Sequence, residues 1–337
     1  MLIHAIVLLL SFGLILVGSE LFTNGVEWAG EKLAISEAAV GSLLAAVGTA
    51  LPETFIPAVA LLTGDSGARH EVGVGAIIGA PLMLSTVALF VMGIGAIVYR
   101  QRRGRIALKV AREDARRDLL FFFLVFVLFA GCGLLHLGPH ARRALAVLAL
   151  LIYAVYSIMM LRLHRMPGVE MEHGLYLQSL FGNHADTPSG RLIGVQVGVG
   201  VMAILFGAKE FVDQIVLFSE HVGVNAGVLS LILSPLATEL PEKYNSVVWI
   251  RQRKDHLALA NITGAMVFQS CIPVALGLAF TPWVLTAPEI LAGAIALASS
   301  AILFINLRDA ELGTPTLMAG GIAYAVFLAG LAYLGIF

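Results

Sequence analysis

The chain has 337 residues and a formal net charge of −1 at neutral pH, with 59% hydrophobic and only 13% charged residues; its mean hydropathy is +0.91. That excludes a soluble domain, in which charged residues make up about a quarter of the composition. The net charge itself says little about partners, because the charges are distributed unevenly along the chain; no nucleic acid is expected as a partner.

In chain order, apolar runs long enough to cross a bilayer at ~1.5 Å per residue are predicted at 3–28, 36–63, 72–98, 118–137, 142–163, 191–218, 226–250, 256–281, 284–306 and 314–336. The fold class is therefore an all-α membrane protein with about ten transmembrane helices. The first run opens "MLIHAIV" without a basic leader and carries Glu20 and Glu27 in its continuation, so it reads as mature structure rather than a signal peptide. The second contains "GTALPETFIP", Gly48 to Pro57, with a carboxylate, Glu53, at a depth where lipid forbids an unpaired charge. The third is followed by "YRQRRGRIALKVAREDARRD", read as a topogenic anchor in preference to a regulatory lipid-binding segment. The fourth and eighth hold Cys132 and Cys271, which fit no disulfide framework or metal-ligand spacing and read as packing residues. The seventh contains "ATELPEKYNS", a near copy of the second. The nine histidines fall mostly in loops or at span ends with no i,i+4 pair, so no zinc site is expected.

Loop charges orient the spans. With the N-terminus outside, sixteen basic residues fall on the cytoplasmic side, eight of them between Arg100 and Arg117, against Arg69, Arg142 and Arg143 outside. The positive-inside rule then puts both termini on the non-cytoplasmic side, of a plasma (inner) membrane. Two basic residues remain within or at the ends of spans, Lys209 and Lys243.

Sliding the chain by 189 positions superposes Gly18, Phe22, Glu31, Leu44, Thr49, Leu51, Pro52 and Glu53 on Gly207, Phe211, Glu220, Leu233, Thr238, Leu240, Pro241 and Glu242. With a slightly shorter connection, "GAIIGAPLML" (Gly75 to Leu84) lies over "ANITGAMVFQ" (Ala260 to Gln269). Spans 1–3 and 6–8 are thus copies offset by an odd number of crossings, which makes them inverted-topology repeats. The chain divides into a first repeat (1–98), a basic cytoplasmic segment with spans 4 and 5 and a further cytoplasmic loop (99–190), a second, inverted repeat (191–281), and spans 9 and 10 (282–337).

Proline chemistry explains why the copied stretch matters. Pro52 and Pro241 have no N–H, so the carbonyls of Gly48 and Ala237 lose their helical donors, and Leu51 and Leu240 are expected to leave helical geometry. Pro57 and Pro235 act in the same way one turn off. Unpaired carbonyls at bilayer depth are tolerated only where they line a cavity or bind something, and a cation is the natural occupant. Thr49 and Thr238 lie i,i+4 from Glu53 and Glu242, and Glu239 lies i,i+3 from Glu242. Each ionised acid costs about 2.5–3.5 kcal/mol at mid-membrane, so three require a counter-charge: Lys243, protons or a bound ion. Oxygen ligands of this kind suit Ca²⁺, which takes about 6–8 of them. The bland alternatives are a Pro-kinked helix with one satisfied acid, and threonines that merely back-bond to their own helix; the duplication in an inverted repeat favours a site.

The units "GSELFTNG … AAVGTALPE … GAIIGAPLML" and "GAKEFVDQ … SPLATELPE … ANITGAMVFQ" resemble the two alpha-repeats of the calcium/cation antiporter superfamily, sodium/calcium exchanger branch. The resemblance implies the ten-helix sodium/calcium exchanger fold, with Glu53 and Glu242 as principal ion ligands and Thr49 and Thr238 beside them. Departures are informative. Where the family motif reads G-T-S-L-P-E, the Ser is Ala50 in one copy and Glu239 in the other; two further Ser positions are Ala80 and Ala265; the last polar position is Leu84 or Gln269. Gln269 stands where calcium transporters usually carry a carboxylate, and Glu239 is the residue available to replace that charge. The loss of neutral oxygens, and the cost of ionising two acids in one dehydrated site, put protons on at least an equal footing with Na⁺ as counter-ion.

The reading is a secondary-active cation antiporter, exchanging Ca²⁺ or a related cation for Na⁺ or H⁺ by alternating access. It is not an enzyme, since neither a nucleophile nor a metal-binding motif stands beside the acids. The alternatives are a monovalent cation/proton antiporter, a cation channel and a degenerate, non-transporting homologue. No cofactor and no obligatory protein partner is expected; the partners are the transported cations and the bilayer.

Overall fold

The computed structural model describes residues 2–32, 51–63, 67–163, 174–180 and 188–336. The helices are α1 (Leu2–Lys32), α2 (Leu51–Leu62), α3 (Gly67–Met83), a π-helical turn (Leu84–Ala88) leading into α4 (Leu89–Val98), α5 (Arg112–Gly131), α6 (Pro139–Leu163), α7 (Gly190–Val222), α8 (Ala226–Thr238), α9 (Leu240–Arg251), α10 (Asp255–Phe280), α11 (Ala287–Asn306) and α12 (Thr314–Tyr333). Eight of the helical stretches are long and apolar enough to cross a membrane. Of the other two expected spans, the seventh is split into α8 and α9, and of the second only α2 is described. The first part of that span, with Thr49 and Gly48, lies outside the described residues.

Local chemistry sets several ends. Ser189 accepts the Leu192 N–H to start α7, and Gly223, at φ +73°, closes it. Asn225 then caps α8 by accepting the N–H groups of Gly227 and Val228, and Thr286 and Glu289 form a capping box on α11. Cys132 and Cys271 are free and buried, as packing residues should be.

The helix contacts obey the symmetry that the repeats imply. α1 packs along α7, and α3 crosses α10, so each pairs with its own copy; α2 packs on α10 just as α9 packs on α4. Exchanging the repeats maps this pattern onto itself. The α1–α7 seam shows it residue by residue. A Cβ on Gly18 would lie 2.9 Å from the Gly200 carbonyl oxygen, and one on Gly207 would lie 2.9 Å from that of Ser11. The offset of 189 carries the first pair onto the second. Small residues let these backbones touch, which is how helices associate where apolar side chains gain nothing over lipid.

One end of the bundle is clamped. Asp255, wholly buried at the start of α10, accepts from Arg103 at 2.6 Å and Arg105 at 2.9 Å through Oδ2, which also takes the Lys109 N–H at 3.0 Å. Beside it Leu108–Lys109 pairs antiparallel with Glu311–Leu312. Arg116 donates to the carbonyls of Phe304 and Leu307 and lies over the Phe304 ring. Three arginines of the basic segment, Arg103, Arg105 and Arg116, thus tie it to α10 and to the end of α11. At the other end Arg69 pairs with Asp213, which also takes Lys209 at 3.0 Å.

Candidate ion-binding site

The seventh span breaks at Glu239, which has φ −89° and ψ 10°. Its N–H closes α8 on the Pro235 carbonyl at 3.1 Å, and α9 restarts at Leu240 with Pro241 in its first turn. This corrects the expectation that Leu240 would be the displaced residue. A first-turn amide has no intrahelical acceptor, so proline costs nothing there, and the chain shifts the break one residue earlier. In the other copy Leu51 begins α2, with Pro52 next, so it too is helical.

Glu53 and Glu242 therefore occupy the same place, the first turn of a half-helix. α2 leads from Glu53 to one face of the bundle and α9 from Glu242 to the opposite face, each running about 13 Å beyond its acid at 1.5 Å per residue. The positive N-terminal ends of both half-helices offset part of the charge, by about 0.3–1 kcal/mol each. Both acids are buried, at 5% and 3% exposure, and they interact electrostatically.

Around them are Thr238, Glu239, Lys243 and Gln269, all buried. Both oxygens of Glu53, Oε2 of Glu242, Oε1 of Glu239 and Oε1 of Gln269 have no hydrogen-bond partner among the described residues. Each such group costs several kcal/mol in a water-free setting, which makes these residues the candidate site for a cation. Two further oxygens follow from the prolines. Pro57 in α2 and Pro273 in α10 cannot donate to the residue four before, which leaves the main-chain carbonyls of Glu53 and Gln269 without helical donors. Pro273 was the readable signal for the Gln269 carbonyl.

Glu239 also has a charged partner in the span. Its Oε2 takes the Lys243 ammonium at 3.1 Å, with the Pro235 carbonyl 3.5 Å from the same nitrogen. Gln269 on α10 and Tyr324 on α12 lie near Glu239. Among the described residues no three His, Cys, Asp or Glu side chains converge on one point. The two carboxylates Glu53 and Glu242 and the Gln269 side chain thus stand beside the Glu239–Lys243 ion pair, which leaves Glu239 Oε1 without a hydrogen-bond partner among the described residues.

A further buried carboxylate, like Asp255, escaped the sequence reading. Asp118 on α5 accepts from Tyr156 on α6 at 2.8 Å and from Thr263 on α10 at 2.7 Å. A span begun at 118 placed it at the boundary; α5 begins at Arg112, which puts it well inside.

The family model described as sodium/calcium exchanger protein matches residues 3–162 and 193–335. A putative antiporter, CaxA, of Alkalimonas amylolytica is 25% identical over 341 residues, covering 99% of each chain. Among solved structures, the H⁺/Ca²⁺ exchanger CAX superposes with a TM-score of 0.73 at 18% identity, over 98% of this chain and 82% of that one. The sodium-calcium exchanger NCX_Mj superposes with a TM-score of 0.59 at 20% identity, over 98% and 99%.

Proposed function

We infer that this chain, which belongs to the sodium/calcium exchanger protein family, holds its transported cation between Glu53 and Glu242, where the two inverted halves meet. It is a secondary-active cation antiporter and a multi-pass membrane protein, a transporter rather than an enzyme. One observation carries the site: repeat-related acids, each at the mouth of a half-helix and each buried with unpartnered oxygen.

The ion is Ca²⁺ or a related hard cation, exchanged for H⁺ or Na⁺. An all-oxygen donor set supports this, since hard cations take carboxylates and carbonyls, and the similar structures are described as H⁺/Ca²⁺ and sodium-calcium exchangers. Gln269, Thr238 and Thr49 assist the two acids, with the carbonyls of Gly48 and Ala237 beside them; Lys243 acts as internal counter-charge. Because α2 and α9 open toward opposite faces, rocking of one repeat against the other exposes the same two acids to each side in turn. The first repeat (1–98) and the second (191–281) are the moving halves, joined by 99–190 and completed by 282–337. The basic clamp faces the cytoplasm and both termini lie outside, in the plasma (inner) membrane.

The test is Ca²⁺ uptake into vesicles under an outward gradient of H⁺ or Na⁺ at fixed voltage. Near-normal uptake by a well-inserted Glu242→Gln protein would overturn the site. For orientation, Arg102→Cys should be labelled only from the cytoplasm and Gly138→Cys only from outside; the reverse pattern inverts the topology.

A further inference from the structure

The Lys243–Glu239 pair sits one turn from the transport acids yet is closed upon itself. The ammonium is almost wholly buried, and its neighbours are a carboxylate oxygen at 3.1 Å and the carbonyl of Pro235, at the helix break, at 3.5 Å. Those are the oxygens a bare monovalent cation would take. The tether holds the charge in place: Glu and Lys at i,i+4 across the break meet without strain, and an ammonium on its own stem is not released to either side.

We propose that Lys243 is a built-in monovalent cation filling one ion position beside the transport acids. What remains for transported ions is a site of two negative charges, Glu53 and Glu242, neutralised by one divalent cation or by two protons. The charged groups around it are Glu53, Glu239, Glu242 and Lys243; Gln269 and Tyr324 are neutral. The proposal rests on the antiport reading above and specifies it: one divalent cation crosses against two protons, no net charge moves, and Na⁺ has no place in the cycle.

Charge substitutions at the pair then set the sign of voltage dependence. In Lys243→Met three acids remain, so one Ca²⁺ returns against three protons. In Glu239→Gln the unpaired ammonium leaves a net single charge, and one Ca²⁺ returns against one proton. Moving one net charge shifts the steady-state Ca²⁺ gradient about 50-fold per 100 mV.

In reconstituted vesicles at clamped potential, the native protein should hold a Ca²⁺ gradient that 100 mV does not change. Lys243→Met and Glu239→Gln should shift it in opposite directions, and the double variant should return to native behaviour. A native gradient that moves about 50-fold per 100 mV, or single variants as indifferent to voltage as the native protein, overturns the proposal. A second readout needs no flux. In detergent, replacing choline by Na⁺ should raise the unfolding temperature of Lys243→Met by about 2–4 °C and leave the native protein unmoved; equal shifts in both overturn it. Absence of Ca²⁺ uptake in every protein would refute the antiport reading instead, and the thermal comparison would still decide the pair.

Discussion

α2 and α9 each carry a proline and a glutamate in the first turn, and among the described residues their surroundings differ. Glu53 is followed by Pro57, and the copied segment of its own repeat ends at Leu84, where a π-helical turn begins. Glu242 has Glu239, Lys243 and Gln269 from its own repeat. In the first copy hydroxyls serve the backbone: Ser85 donates to the Leu82 carbonyl, and the Ser85 carbonyl takes Ser299 at 2.6 Å. In the second copy hydroxyls serve the backbone as well, Ser270 donating to the Met266 carbonyl at 2.7 Å, but Lys243 adds an ion pair with Glu239 beside the acid. Among the described residues the two copies share the acid in the first turn of a helix and differ in that added charge pair.

The strongest way to break the equivalence is at the acids. Glu53→Gln and Glu242→Gln should each lower uptake at least 100-fold, about the size of a lost charged transition-state or ligand contact of ~3 kcal/mol, with normal insertion. A large difference between the two would show that only one half binds.

The ends of the bundle give the next contrast. Asp255 compensates two arginines, one wholly buried, so Asp255→Ala should cost about 3–5 kcal/mol, measured as lost thermal stability in detergent. Asp213, half-exposed at the opposite end, pairs with Arg69 and Lys209; Asp213→Ala should cost about 1 kcal/mol or less, and less again in high salt. Equal losses would mean that the inner clamp is not a buried pair.

The smallest effect sharpens the symmetry itself. Gly18 and Gly207 face backbone at the same 2.9 Å across the α1–α7 seam. Gly18→Ala and Gly207→Ala should each destabilise by roughly 1–3 kcal/mol, and by similar amounts. A one-sided loss would show that the seam departs from its two-fold relation.

Much of this was readable from the sequence. Span positions follow from hydropathy, and the break follows from Pro241 and Pro52, because missing amides are covalent facts. Even Glu239–Lys243 was present as an i,i+4 spacing, beside Glu239–Glu242 at i,i+3. The Asp118 cluster and the Asp255 clamp were not readable. Each joins residues well over a hundred positions apart, and nothing local distinguishes Arg103 from its exposed neighbours Arg100 and Arg102. The exact place of the break was also hidden, since a proline tolerates either side of a helix start.

The broken seventh span also bears on how the protein is made. α8 and α9 have 13 and 12 residues, each about 20 Å long against a hydrocarbon core of about 30 Å. The segment carries Glu239, Glu242 and Lys243, each costing the translocation machinery about 2.5–3.5 kcal/mol at mid-span, so it is a poor membrane segment alone. α3, synthesised earlier, offers the face that rescues it: Gly75 and Gly79 lie against the carbonyls of Gly227 and Leu231 of α8 so closely that a Cβ would sit 2.1 or 2.2 Å from the oxygen. Entry of α8 into the bilayer thus depends on a helix of the other repeat already waiting there. The order of synthesis is matched to the architecture, with the first repeat acting as the template on which the second is inserted.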